Sequence, residues 1–129
     1  ASSIGKRSQM EDRSIVLHRL DEKYASKYAK QNKRHNFQIT SYIGVFDGHA
    51  GCVAAEYARV HLGCNIIKSI SLWNPNSLSG FLEDFHFAIN AGFSKTDDMF
   101  LNYAKELDLH SGTCASIGFI VDFHVHHRF

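Results

Sequence analysis

The spacing of apolar residues changes along the chain, and each change marks a different element. Ser14–Leu20, SIVLHRL, is short, rich in branched residues and partly alternating, which predicts a first strand. Residues 21–36, DEKYASKYAKQNKRHN, carry many lysines and no sustained apolar stripe, so they read as an exposed loop or surface helix. Phe37–Phe46, FQITSYIGVF, returns to β-favouring residues and becomes continuously apolar before Asp47, as a strand entering a buried layer does. The two strands are expected to form a hairpin around the basic segment.

After Gly51 the period lengthens. Val53, Tyr57, Val60, Cys64 and Ile67 recur at steps of three and four, which predicts a helix running to about Ile70 with these residues on its buried face. SLWNPNSLSG breaks it, with Pro75 between two asparagines and Ser77 or Ser79 available to cap a second helix. That helix carries the stripe Leu78, Phe81, Phe85, Ile89, Thr96, Phe100, Tyr103 and Leu107, with Gly92 marking a close packing point. SGTCASIGFIVDF, entered through a turn at Gly112, reads as a third, buried strand. The order is strand, strand, helix, helix, strand, without internal repeat or linker.

Composition narrows the class only a little. The chain has 129 residues, 44% of them hydrophobic and 21% charged, as an ordinary globular domain does. Its formal net charge of +1 gives no basic field for nucleic acid. No apolar run is long enough to span a bilayer, and ASSIGKRSQMEDR lacks the apolar centre of a signal peptide. Cys52, Cys64 and Cys114 are widely spaced among apolar residues, which suits reduced, buried thiols and an intracellular setting, cytoplasmic or nuclear.

Two acidic clusters border predicted strands: Glu11-Asp12 before the first, and Asp47 at the end of the second. If the strands are neighbours, the three carboxylates converge at one edge of the sheet, where like charges require a cation or a proton between them. Hard oxygen donors suit Mg²⁺ or Mn²⁺, and the absence of a side chain at Gly48 lets its carbonyl approach an ion. Singly, each feature has an ordinary explanation: MED as a solvated turn, Asp47 as the cap of the next helix, Arg7 as a surface ion-pair partner, His49 as a hydrogen-bonding turn residue. Together, Arg7 could grip a phosphate through its planar fork, and His49 could protonate a departing alkoxide.

Three blocks, RSQMED with Arg7, Glu11 and Asp12, FDGHAG from Phe46 to Gly51, and SGTCA from Ser111 to Ala115, resemble the protein phosphatase 2C family, in its order and roughly its spacing. AAEYA and GFSKTDDMFL also look like its intervening segments. The resemblance implies an α+β fold: a β-sandwich of mainly antiparallel sheets flanked by helix pairs, in αββα layers, of which only the N-terminal part is represented. It implies hydrolysis of phosphoserine and phosphothreonine in proteins by a water activated at a binuclear Mg²⁺ or Mn²⁺ site. Asp47 would bridge the two ions, Glu11 would bind one, and Gly48 would contribute its carbonyl. Asp12 would help fix water, Arg7 would bind the substrate phosphate, and His49 would act as general acid. Asp108 would approach a third, weaker metal position, and the small residues of SGTCA would let a strand pack inside the sandwich.

Residues 1–129 are accordingly read as the N-terminal portion of one catalytic domain, with residues 21–36 as a basic hairpin insertion suited to substrate docking. The two later metal-binding aspartates of the family have no counterpart here, since Asp122 is the only acid after SGTCA. The piece alone is expected to be inactive and to leave an apolar sheet face uncovered. The expected partners are phosphorylated proteins, and the expected state is a monomer. The alternative is a catalytically inactive phosphatase-like domain that binds phosphoproteins or regulates a partner. His124, His126 and His127 near the C-terminus could hold a transition metal, although an isolated motif at a chain end is a weak signal.

Overall fold

The computed structural model describes residues 3–6, 8–18, 37–70 and 78–123. They form β1 (Arg13–His18), β2 (Phe37–His49), α1 (Val53–Ile70), α2 (Leu78–Glu106) and β3 (Gly112–Phe123), the element order expected from the sequence. The strands make one antiparallel sheet in the order β1-β2-β3, so the fold is α+β with β2 in the middle. Arg13 pairs with Phe46 and His18 with Ser41; on the other side, Phe37 pairs with Phe123 and His49 with Gly112. Arg19, Leu20 and the basic insertion lie outside the described residues.

Both helices lie on one face of the sheet. Phe46 from β2 and Ala55, Ala58, Leu62 and Ile66 from α1 form the buried core, flanked by Ile15, Ile117 and Phe119 from the strands. Successive side chains alternate between faces, so Ile43 and Val45 of β2 point the other way. With Val16 and Ile120 they leave that second face apolar and open, each of the four between 47% and 60% exposed.

The buried face of α1 is rotated from the expected stripe. Ala54, Ala55, Ala58, Leu62 and Ile66 are buried, whereas Val60 is exposed. Three alanines let the helix axis approach the sheet closely, and the larger Val53, Tyr57 and Cys64 are left at the flanks, half-buried. In α2, Phe81, Ala88, Thr96 and Ala104 are buried, but Tyr103 and Leu107 are exposed, and Leu107 lies past the helix end. Gly92 is the expected close packing point, since a Cβ there would run into Ile66 of α1. Beside it, buried Asn65 donates to Thr96 Oγ1 across the helix pair at 2.9 Å.

The end of α2 has a local cause. Asp108 adopts a left-handed φ of 52° and the Leu109 N–H returns to the Ala104 carbonyl at 2.9 Å, a bond spanning five residues that closes the helix. The three cysteines are free, as expected, but Cys52 and Cys64 are only half-buried and Cys114 is exposed on β3. Among the described residues, no helix is long and apolar enough to cross a membrane.

Candidate functional site

The sequence ends the second strand at Phe46, with Asp47 at its edge; in the structure the strand runs three residues further, so Asp47, Gly48 and His49 complete β2. They pair with Cys114, Thr113 and Gly112 of β3, so the ladder holds residues that are poor strand formers on their own. The corner into α1 is Ala50–Gly51, with φ of 55° and 112°. Asp47 therefore does not cap α1. That role belongs to Ser111, whose Oγ accepts the Ala54 N–H at 3.2 Å in the first turn of the helix.

The β1 ladder begins at Arg13, opposite Phe46. Continuing this antiparallel register by one and two residues sets Asp12 across from Asp47 and Glu11 across from Gly48. The contacts agree: a Cβ on Gly48 would run into the carbonyl oxygen of Glu11, and would lie 3.2 Å from the Glu11 Cβ. Glu11 Oε1 also accepts the Gly51 N–H at 2.7 Å. The acidic segment thus lies with its backbone close against Gly48 and is fastened to the corner by its carboxylate. Asp12 and Asp47 are exposed, and Thr113 Oγ1 donates to the Asp47 carbonyl at 3.0 Å.

His49 lies over Gly112, its cross-strand partner. The ring occupies the place a side chain at 112 would take, with Nε2 nearest. This imidazole also borders a cavity of about 370 Å³ between α1, α2 and the start of β3, walled by Tyr57, Thr96, Phe100 and Thr113 among others. Glu11, Asp12 and Asp47 do not line that cavity, so it is separate from the carboxylates.

Sequence reasoning missed Arg13. Its Nη1 donates to the carbonyls of Met10, at 3.0 Å, and Asp12, at 2.8 Å, while its Nε donates to Glu56 Oε2 at 3.1 Å. Glu56 also accepts Arg59 Nε at 3.0 Å and pairs with Arg59 Nη2. The Arg59 hydrogen bond holds the Glu56 carboxyl below its ordinary value against an opposing desolvation, with Arg13 adding to the effect. Glu56 in turn raises Arg59. The only sequence signal was the position of Arg13 directly after Glu11-Asp12.

The donor set suits a hard divalent cation: carboxylates of Glu11, Asp12 and Asp47, with the Gly48 backbone held side-chain-free against Glu11. It is also incomplete. Among the described residues, no group of three or more His, Cys, Asp or Glu side chains is arranged to hold an ion by itself. Arg7 and the histidines at 124, 126 and 127 lie outside the described residues. Asp108 stands beyond the end of α2, where its exposed side chain faces His110 at 3.6 Å.

A profile of the family described as Protein phosphatase 2C matches residues 4–126. The chain is 34% identical over 121 residues to "Probable protein phosphatase 2C 69" of Arabidopsis thaliana, an alignment covering 94% of this chain and 28% of that protein. It is 32% identical over 126 residues to "Probable protein phosphatase 2C 52" of Oryza sativa subsp. japonica, covering 98% and 21% respectively. With "Protein phosphatase 1F" of Homo sapiens it shares 41% identity over 80 residues, covering 60% of this chain and 16% of that one. The chain belongs to the protein phosphatase 2C family. It spans less than a third of the length of these relatives.

Proposed function

We propose that the protein containing this chain hydrolyses phosphoserine and phosphothreonine esters in proteins, with two Mg²⁺ or Mn²⁺ ions as cofactors. The observation that carries this reading is the fastening of Glu11 onto the Gly48–Gly51 corner, with Asp12 and Asp47 adjacent by register. Family membership supports the same chemistry.

Glu11, Asp47 and the Gly48 carbonyl would hold the ions, together with donors from the rest of the protein. When bound, such ions lower the pKa of water and offset charge on a phosphate. Asp12 would orient the attacking water by accepting its hydrogen bond. Arg7 is assigned the substrate phosphate, which its guanidinium can grip through two oxygens. His49 is assigned the proton for the departing serine or threonine oxygen, a task for imidazole near neutral pH.

The test uses the full-length protein and a phosphopeptide. Phosphate release is expected only with Mn²⁺ or Mg²⁺, to stop with EDTA, and to be largely lost in Asp47→Asn. Turnover in EDTA, or a fully active Asp47→Asn, contradicts the mechanism. Phosphopeptide binding without turnover in either metal would assign the domain to the non-catalytic alternative.

A further inference from the structure

Three features make the contacts of Arg13 more than an ordinary surface ion pair. Its guanidinium spans two carbonyls, Met10 and Asp12, that lie on either side of Glu11, and so restrains the peptide planes that aim both acids. The restrained stretch lies just outside the β1–β2 ladder, whose first pair is Arg13 with Phe46, so beyond the close approach of Glu11 to Gly48 and its bond to Gly51 no ladder pair holds it. The third contact ties the guanidinium to Glu56, in the first turn of α1. That helix begins two residues after the Ala50–Gly51 corner, and the corner follows directly on Asp47, Gly48 and His49.

Asp12 and Asp47 are 35 residues apart in the chain, and the Arg13–Glu56 contact refers the first acidic segment to the helix that follows the second across the Ala50–Gly51 corner. Arg59 reinforces the anchor by holding Glu56 through both nitrogens of its fork.

Resting on the metal assignment above, we propose that Arg13, anchored by Glu56 on α1, is a positioning residue that clamps the Met10–Asp12 segment and sets how tightly the Glu11–Asp12 acids take a divalent cation. The clamp acts on geometry more than on stability. Partly exposed ion pairs contribute little to folding, because solvent screens them and ordering two long side chains is costly. Groups that aim metal ligands, by contrast, commonly change metal affinity strongly when removed. The planar fork is also specific to arginine. A lysine at 13 keeps the charge but offers one ammonium where three acceptors need donors in fixed directions.

The experiment measures Mn²⁺ binding to the full-length protein from the electron paramagnetic resonance signal of free Mn²⁺, without substrate and so independently of turnover. Arg13→Gln is expected to weaken binding roughly tenfold, and Arg13→Lys to recover only part of the loss. Melting temperatures should stay near that of the parent. In phosphatase assays the Mn²⁺ concentration for half-maximal rate should rise, while kcat at saturating Mn²⁺ recovers.

Should Arg13→Gln fail to fold, Glu56→Gln, which keeps the shape and removes the anchoring charge, is read in the same assay with a loss of roughly threefold expected. Wild-type affinity in the folded Arg13 variants, or in Glu56→Gln where that variant is the one read, overturns the positioning role. Failure of the parent protein itself to bind Mn²⁺ overturns the metal assignment instead, so the two failures are distinguishable.

Discussion

Gly48 of β2 and Glu11, two residues before β1, are in main-chain contact so close that no side chain fits at position 48. The clash would be with a backbone carbonyl, which cannot swing aside as a side chain can. Gly48→Ala in the full-length protein should therefore push the acidic segment away from the corner. The expected cost is about 1–3 kcal/mol of stability, the usual range for overpacking, with a loss of Mn²⁺ affinity. Urea denaturation and a Mn²⁺ titration measure the two effects.

Gly112 and His49 give a softer version of the same relationship, because there the obstructing group is an imidazole that can rotate. Gly112→Ala should leave the fold standing and displace the ring. The expected outcome is a near-parental melting temperature, a shifted His49 ring resonance in NMR, and a lower kcat. An unmoved resonance would remove the steric basis of this prediction.

The open face of the sheet offers a test of the complete domain. The sandwich implied by the family would cover Val16, Ile43, Val45 and Ile120, which here stand half exposed. Val45→Lys in the full-length protein is then a buried charge, expected to cost at least about 3 kcal/mol in chemical denaturation. Residues 1–129 alone should bind a hydrophobic dye and aggregate, and the same lysine should relieve both.

Glu56 gives a pH prediction. Its carboxyl is held below the ordinary value of 4.5, chiefly by the Arg59 hydrogen bond, so the folded state favours the ionised form. The stabilisation is fully present above that ordinary value and is lost as pH falls through the depressed one. With its side chain 42% exposed, the contribution is small, at most about 1 kcal/mol. The melting-temperature gap between the parent and Glu56→Gln should be constant from pH 6 to 8 and should shrink in acid below about pH 4.5.

The order of elements was legible because apolar spacing changes from near-alternation to steps of three and four and back. The candidate site was legible in part, since carboxylates beside two strands suggest convergence before any contact is known. The face of α1 was not: large apolar residues attract the eye, whereas close approach to the sheet selects Ala54, Ala55 and Ala58. Nor was the strand character of Asp47, Gly48 and His49, which depends on pairing with residues 112–114. Arg13 and Glu56 are 43 positions apart, and no local pattern announces that an arginine will reach that far.

Ser111 closes the first turn of α1 from 57 residues downstream of Ala54. A helix normally carries its cap in its own flanking sequence, where it is available as soon as the helix leaves the ribosome. Here the cap emerges only after all of α2 has been synthesised. The corner that presents Asp47 and His49 is thus expected to be among the last parts of this unit to become ordered during synthesis, and to depend on the arrival of β3.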